Sequence, residues 1–125
     1  MSWTAADTNT HQDHVIAHVI GATPLGHFIW DETAYLLLDI GFVWNIYLDM
    51  EMGLVPQSLA VTELNELRDF VDQANDASIG PIETVELFAA GDDRRLVLNC
   101  ESGRLVIETS LKDRWTRIES APTNV

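Results

Sequence analysis

Cysteine and long apolar runs are both scarce in this 125-residue sequence. The single cysteine, Cys100, allows no disulfide within the chain and is expected to be a buried, inert thiol. The longest apolar region, around 34–48, is interrupted by Asp39, which excludes a transmembrane helix. The N-terminus has no basic segment followed by an apolar one, so no signal peptide is predicted. We therefore expect a cytoplasmic protein that does not bind membranes.

Basic residues are the third scarcity, with 7 Lys and Arg against 20 Asp and Glu and a net charge of −13. Residues 1–67 contain no lysine or arginine, and the first basic residue is Arg68. Binding of phosphate groups requires clustered cations, so this composition argues against a nucleic-acid partner. Two explanations of the acidity remain open: solubility or adaptation to high salt, and an acidic surface that attracts a basic partner.

The order of apolar patterns predicts a single α+β domain. We expect an antiparallel sheet of about six strands with two helices packed on one face, in the order α-βββ-α-βββ. This order is compatible with an internal duplication, although no residue-level repeat supports one. The domain is expected to span 10–118, between a flexible tail at 1–9 and a polar tail at 119–125.

Helix signals occur twice. Thr10 is a candidate N-cap for a first helix that ends before Gly21, and Thr62 is a candidate N-cap for a second helix that runs to about Asn75. Alternating apolar residues predict strands within 27–49, at 82–89, at 94–100 and at 104–110. The remaining segments are predicted as a connection at 50–61 and a last strand or short helix at 111–118.

The hairpin within 35–49 carries the first candidate site. A three-residue loop at 41–43 pairs Leu38 with Ile46 and places the large even-numbered residues on one face. In that register Tyr35 faces Asp49, Leu37 faces Tyr47 and Asp39 faces Asn45 on the other face. Aromatic rings beside carboxylates suit a cationic partner, whereas the alternative is a solvated sheet face. The candidate partner-binding residues are Tyr35, Asp39, Asn45, Tyr47, Asp49 and Glu51.

The histidines form the second candidate site. His11, His14 and His18 fall on one side of the first helix, and the i,i+4 spacing of His14 and His18 can chelate one metal ion. His27 or a carboxylate would complete the ligand set. The alternative is an exposed polar helix edge, so no cofactor is expected, with zinc or another divalent metal as the alternative.

No catalytic residue is predicted, because phosphate-binding loops, nucleophile elbows and paired cysteine motifs are absent from the sequence. We expect a non-enzymatic interaction module whose acidic N-terminal half binds a basic protein, in the manner of inhibitors and immunity proteins. One alternative is a domain that binds a small molecule or metal through the histidines. The other is a structural module that forms a homodimer.

Overall fold

The computed structural model of the chain describes residues 2–58 and 79–122. Within them the chain forms one helix, α1 (Thr10–Val19), and two antiparallel sheets. The four-stranded sheet is a meander of β2 (Pro24–Trp30), β3 (Thr33–Leu38), β4 (Phe42–Ile46) and β5 (Met52–Pro56). The five-stranded sheet has the order β1-β6-β7-β8-β9 and contains β1 (Thr4–Ala5), β6 (Ile82–Ala90), β7 (Asp93–Cys100), β8 (Gly103–Ser110) and β9 (Trp115–Pro122). The described part of the chain contains no helix with the length and hydropathy needed to span a membrane.

The two sheets and α1 share one hydrophobic core. Leu36 and Trp44 of the four-stranded sheet are fully buried in the same cluster as Leu98 and Ile107 of the five-stranded sheet, and Val19 of α1 joins them. Each such side chain contributes about 1.5–3 kcal/mol by leaving water. Because each strand alternates inward and outward residues, both sheets also present an outer face away from this core.

The predicted α+β class and antiparallel pairing are confirmed, but the predicted single sheet of about six strands with helices on one face is wrong. Period-two alternation identifies strands without showing to which sheet each strand belongs, because two sheets that share a core have the same alternation as one sheet covered by helices. The second predicted helix, 62–75, lies outside the described residues.

Two additional strands come from segments predicted as a connection and a tail. β5 contains Gly53 and Pro56, which are typical turn residues, but Pro56 is the last residue of an edge strand, where a missing N–H is tolerated. Near the N-terminus, Thr4 of β1 pairs with Ala89 of β6. At the other end, β9 continues to Pro122, past the predicted domain end at residue 118.

The helix begins one residue earlier than predicted, because Asn9 rather than Thr10 is the N-cap. The Asn9 side chain accepts a hydrogen bond from the Gln12 backbone N–H at 2.8 Å, and the Gln12 side chain accepts one from the Asn9 N–H at 2.9 Å. This reciprocal capping box satisfies two N–H groups at the start of the helix. The helix ends at Val19, its C-cap Ile20 has an extended backbone, and Gly21 follows with φ +89°.

The hairpin between β3 and β4 has a different register from the predicted one. Its loop is 39–41 rather than 41–43. Leu36 pairs with Trp44, whereas the predicted register paired Leu36 with the residue four positions after Trp44. Gly41 has φ +80°, a conformation that favours glycine, and it closes the loop as its last residue. A shift of four residues leaves every side chain on its predicted face. The buried even-numbered residues are Leu36, Leu38, Trp44 and Ile46.

Candidate functional site: an acidic cleft between three loops

A surface cleft of about 510 Å³ lies where three loops meet. The loops are the tip of the β2–β3 hairpin, the turn between β4 and β5, and the loop between β8 and β9. Four carboxylates and one guanidinium line the cleft, so its formal charge is strongly negative. Its lining residues are Asp31, Glu32, Thr33, Tyr47, Leu48, Asp49, Glu51, Leu111 and Arg114. We call this site the acidic cleft.

The turn between β4 and β5 is fixed by its own hydrogen bonds. The Tyr47 N–H donates to the Glu51 carbonyl at 2.8 Å, and the Met50 N–H donates to the Tyr47 carbonyl at 2.9 Å. The Asp49 carboxylate accepts from the Glu51 N–H at 3.0 Å, and the Glu51 carboxylate accepts from the Asn9 side-chain amide at 2.9 Å. Asp49 and Glu51 are therefore held in position, which reduces the entropy that a bound cation would cost them.

The same turn is attached to the rest of the protein by two polar contacts, one buried and one partly buried. The Gln12 side-chain amide donates to the Met50 carbonyl at 2.8 Å, and the Thr109 hydroxyl donates to the Leu48 carbonyl at 2.7 Å. The Met50 side chain itself is only 1% exposed and belongs to the shared core. Contacts with α1, β8 and the core therefore fix the turn that forms one wall of the acidic cleft.

The tip of the β2–β3 hairpin forms the opposite wall. Asp31 and Glu32 form a two-residue loop with φ +49° and +65°, as a type I′ turn requires. Asn-Gly and Asp-Gly are the usual sequences of such a turn, so Glu32 in the position of the glycine stores strain there. The Glu32 carboxylate accepts from Arg114 at 2.8 Å and its carbonyl accepts from the Thr116 hydroxyl at 2.6 Å. These contacts hold the strained tip against the start of β9.

Left-handed backbone conformations at non-glycine residues are concentrated at this cleft. Among the described non-glycine residues, four have positive φ: Asp31, Glu32, Met50 and Arg114. Three of them line the cleft, and Met50 lies between its lining residues Asp49 and Glu51. Strain of this kind costs about 1–3 kcal/mol per residue and is often retained at functional sites.

Two tyrosines lie near the carboxylates. Tyr47 is 43% exposed and lines the cleft, so its ring is available to a cationic group. Tyr35 is buried and stacks on Phe28 with 4.9 Å between ring centroids. Burial raises the pKa of Tyr35 above 10.0, Tyr47 and Asp31 raise it further, and the hydrogen bond with Thr33 opposes them. Tyr35 therefore belongs to a small apolar cluster with Phe28 and Val43 and is not open to a partner.

The structure brings together three of the six predicted partner-binding residues, because Tyr47, Asp49 and Glu51 all line the cleft. Asp39 does not join them: it lies in the β3–β4 loop, where its carboxylate accepts from the Thr23 N–H at 2.9 Å. The predicted pairing of Asp39 with Asn45 depended on the loop at 41–43 and is wrong.

Asn45 and Tyr35 face each other in the middle of the four-stranded sheet. The predicted partner of Tyr35 was Asp49, which belongs instead to the turn after β4. The buried Oδ1 atom of Asn45 has no hydrogen-bond partner among the described residues. Neither Asn45 nor Tyr35 lines the acidic cleft.

Asp31, Glu32 and Arg114 line the cleft but were not predicted as site residues. A glutamate in the position where a two-residue turn usually has glycine is the one local signal of a special role, and Glu32 is that residue. Arg114 reaches Glu32 across 82 sequence positions. No local pattern predicts a contact of that range, because it depends on how the two sheets pack.

The histidines of the predicted metal site make different contacts and do not share one site. The His11 Nε2 atom lies 2.8 Å from the Met52 carbonyl, while His14 and His18 are exposed on α1. His27 lies on β2 and is 7% exposed, and its burial lowers its pKa below 6.5. Across residues 2–58 and 79–122, no three His, Cys, Asp or Glu side chains form a group that could hold a metal ion.

Cys100 is buried in the shared core, at the end of β7. Burial, with a smaller contribution from the charge of Glu83, raises the pKa of its thiol to about 11. A thiol with this pKa is almost entirely protonated at neutral pH and is therefore a poor nucleophile.

Comparisons with known proteins add no relative to this geometry. No protein-family model matches the chain, and no curated protein or solved structure shows significant similarity to it. The assignment of a function therefore depends on the acidic cleft and on the charge distribution of the chain.

Proposed function

We propose that this protein is a non-enzymatic interaction module that binds a basic protein through the acidic cleft. The observation that carries the proposal is the placement of Asp31, Asp49 and Glu51 around one cleft with the exposed ring of Tyr47. The two turns that carry these residues are fixed by hydrogen bonds to α1, β8 and β9. Carboxylates around an aromatic ring suit a lysine or arginine side chain, which gains both ion pairs and a cation–π contact.

Arg114 supports this assignment from within the cleft. Its guanidinium already binds Glu32 at 2.8 Å, so the cleft accommodates a cation of the proposed type. With Glu32 engaged in this pair, the remaining three carboxylates are available to a partner. A side chain from the partner would enter beside Arg114 and contact Asp31, Asp49 and Tyr47.

The charge of the whole chain favours a protein partner over nucleic acid or an anionic membrane. The net charge of −13, with no base in residues 1–67, repels phosphate groups and accelerates encounters with basic surfaces. The proposal takes the partner to be cytoplasmic, because the single cysteine gives the chain no internal disulfide.

The test uses isosteric neutralisation of the cleft. In the double variant Asp31→Asn and Asp49→Asn, asparagine tolerates left-handed backbone and retains an oxygen that can cap the Glu51 N–H. The matched control is Glu83→Gln with Glu101→Gln, two exposed acids outside the cleft that change the net charge equally. The probe is a labelled oligo-arginine peptide, and its binding is measured by fluorescence anisotropy at low and at physiological ionic strength.

We expect the cleft variant to bind about tenfold more weakly at low ionic strength and to lose much of the salt dependence. The control variant is expected to stay within about twofold of the unmodified protein, because it changes the net charge without removing a contact. Equal losses in the two variants would show that only net charge matters and would refute a specific site. A pull-down from cell lysate, washed at low and high salt, then identifies the natural basic partner.

A further inference from the structure

The last strand of the five-stranded sheet has an open edge. Along one side, β9 pairs with β8 in a register that is continuous from Trp115 to Pro122. Along the other side it pairs with no strand of the described residues, because β9 is the last strand in the order β1-β6-β7-β8-β9. The backbone N–H and C=O groups of such an edge can pair with a strand from another chain.

The other edge strands in the described part of the chain carry features that hinder such pairing. β1 has two residues, and β2 begins with Pro24, next to which its register is irregular. β5 ends with Pro56, and the His11 ring of α1 lies 2.8 Å from the Met52 carbonyl at its start. Short length, proline, bulges and covering elements are the usual protections of sheet edges. β9 is long and regular, and its proline is its last residue, Pro122.

The contact of β9 with the four-stranded sheet lies on the side of the core and leaves the edge open. The Ile118 side chain packs against the shared core, and Thr116 points to the same side because strand residues two apart share a face. The Thr116 hydroxyl donates to the Glu32 carbonyl at 2.6 Å on that side. Arg117 and Glu119 lie on the opposite, outer face, and both are exposed.

A row of charged side chains crosses the outer face and ends at this edge. Arg95 of β7, Glu108 of β8 and Arg117 of β9 are neighbours in register. One oxygen of the Glu108 carboxylate accepts from Arg95 at 2.9 and 2.6 Å, and the other accepts from Arg117 at 2.6 Å. Burial acts to raise the pKa of Glu108, but these hydrogen bonds outweigh burial and hold the pKa below 4.5. The signs of the row are therefore positive, negative and positive, and its excess positive charge lies at the edge.

Glu119 carries the charge that this row lacks. Its neighbour across the sheet is the apolar residue Val106, and its side chain is 67% exposed. Within residues 2–58 and 79–122 its one ion pair is with Arg117, whose Nε atom lies 3.7 Å from Glu119 Oε1. A strong charge-assisted hydrogen bond is about 2.7–2.9 Å long, so this pair is weak. The Glu119 carboxylate is therefore available to a guanidinium of another chain.

The sequence of β9 is self-complementary in an antiparallel pair. When a twofold axis passes between the Ile118 residues of two copies, Arg117 of each copy lies opposite Glu119 of the other. Residues directly opposite each other have Cβ atoms about 4.5–5.5 Å apart, which is close enough for an ion pair. The row that ends at Arg117 then continues with a carboxylate of the second copy, so its charges alternate without an excess.

We propose that β9 is a self-association surface to which a second copy of this chain adds its own β9 in antiparallel orientation. Backbone hydrogen bonds join the two five-stranded sheets into one sheet, and two symmetric ion pairs between Arg117 and Glu119 fix the register at Ile118. The occupant is a second copy because the charges of β9 complement its own sequence. The proposal is independent of whether the acidic cleft binds a basic protein.

The net charge of each copy opposes this association. Two chains of −13 repel each other at low ionic strength. At about 0.15 M salt the Debye length is about 8 Å, so the repulsion between distant acids is screened more than the ion pairs in contact. The dimer should therefore be weak and should be measured at this ionic strength.

The test is sedimentation velocity of the full chain between about 10 µM and about 1 mM protein at about 0.15 M salt. Glu119→Arg and Arg117→Glu each place like charges opposite each other in the proposed register. Glu83→Arg is the matched control, because it makes the same charge change as Glu119→Arg on an exposed residue of β6, three strands from β9. Thermal unfolding checks that each variant is folded. Glu119→Arg leaves the Glu108 hydrogen bonds intact and decides the test if Arg117→Glu does not fold.

We expect the unmodified protein and Glu83→Arg to dimerise with dissociation constants within about threefold of each other, and the two β9 variants to associate about tenfold or more weakly. An equimolar mixture of Glu119→Arg and Arg117→Glu should recover the dimer, because opposite charges then face each other at both positions. The proposal is overturned if the unmodified protein stays monomeric throughout, or if Glu119→Arg associates as well as Glu83→Arg. It is also overturned if the two folded β9 variants do not associate when they are mixed.

Discussion

Met50 offers the most direct test of how the acidic cleft is built. Its side chain is 1% exposed in the shared core, while its backbone has φ +70°, a conformation that costs a non-glycine residue about 1–2 kcal/mol. Met50→Ala removes the buried side chain and keeps the strain, so it should lower the free energy of unfolding by about 2–5 kcal/mol. Met50→Gly removes the same side chain and relieves the strain.

Glycine usually destabilises a structured position by about 0.5–1 kcal/mol relative to alanine. At residue 50 the relief of strain should offset this cost, so Met50→Gly should be as stable as Met50→Ala or more stable by about 1 kcal/mol. Met52 is the matched control, because it is 3% exposed in the extended strand β5, where the ordinary order with alanine more stable should hold.

The assay is urea unfolding of the four variants, followed by tryptophan fluorescence and fitted for the free energy of unfolding and the slope. The expected result is that the glycine variant is at least as stable as the alanine variant at residue 50, and that the alanine variant is the more stable one at residue 52. If alanine is the more stable at both positions by the same margin, the left-handed turn at Met50 is refuted. A loss below about 1 kcal/mol in Met50→Ala would refute the burial of its side chain.

Three further predictions concern stability. Thr109→Val leaves the Leu48 carbonyl without its partly buried hydrogen bond and should lower the free energy of unfolding by about 0.5–1.5 kcal/mol, measured by urea unfolding; an unchanged midpoint would contradict it. Because burial lowers the pKa of His27, the unfolded chain binds a proton at a higher pH than the folded protein does. The free energy of unfolding should therefore fall as pH decreases below 6.5. His27→Gln should remove this pH dependence in thermal unfolding scans. The ion pairs of Glu108 with Arg95 and Arg117 lower its pKa despite its burial, so their stabilisation is present above pH 4.5 and lost below it. Glu108→Gln should flatten the stability profile in that range, and identical acid profiles of the two proteins would contradict these ion pairs.

The alternation of apolar residues predicted the core face of β3 and β4 correctly but not their register. Leu36 and Trp44 were assigned to the buried face, and both are fully buried. Their pairing could not be obtained from alternation, because a shift by any even number of residues preserves the faces. The position of Gly41 as the last rather than the first loop residue decided the register, and both placements are compatible with the sequence alone.

The candidate site was predictable only where its residues are close in sequence. Tyr47, Asp49 and Glu51 were grouped through the predicted face of the hairpin, and the structure keeps them together because they lie within five consecutive positions. Asp39 was grouped with them through an assumed cross-strand register, and that contact failed with the register. Arg114 entered the site through packing between the sheets, which depends on many weak contacts that no short motif records.

The most direct test of the acidic cleft is to map where a basic ligand binds. Amide chemical shifts of the isotope-labelled protein are followed by nuclear magnetic resonance during titration with the oligo-arginine peptide. We expect the largest shifts to saturate together and to occur at Asp31, Glu32, Tyr47, Asp49 and Arg114. Shifts that are largest around Asp39 or on the outer face of the five-stranded sheet, or that are spread evenly over exposed carboxylates without saturating, would contradict the acidic cleft as the binding site.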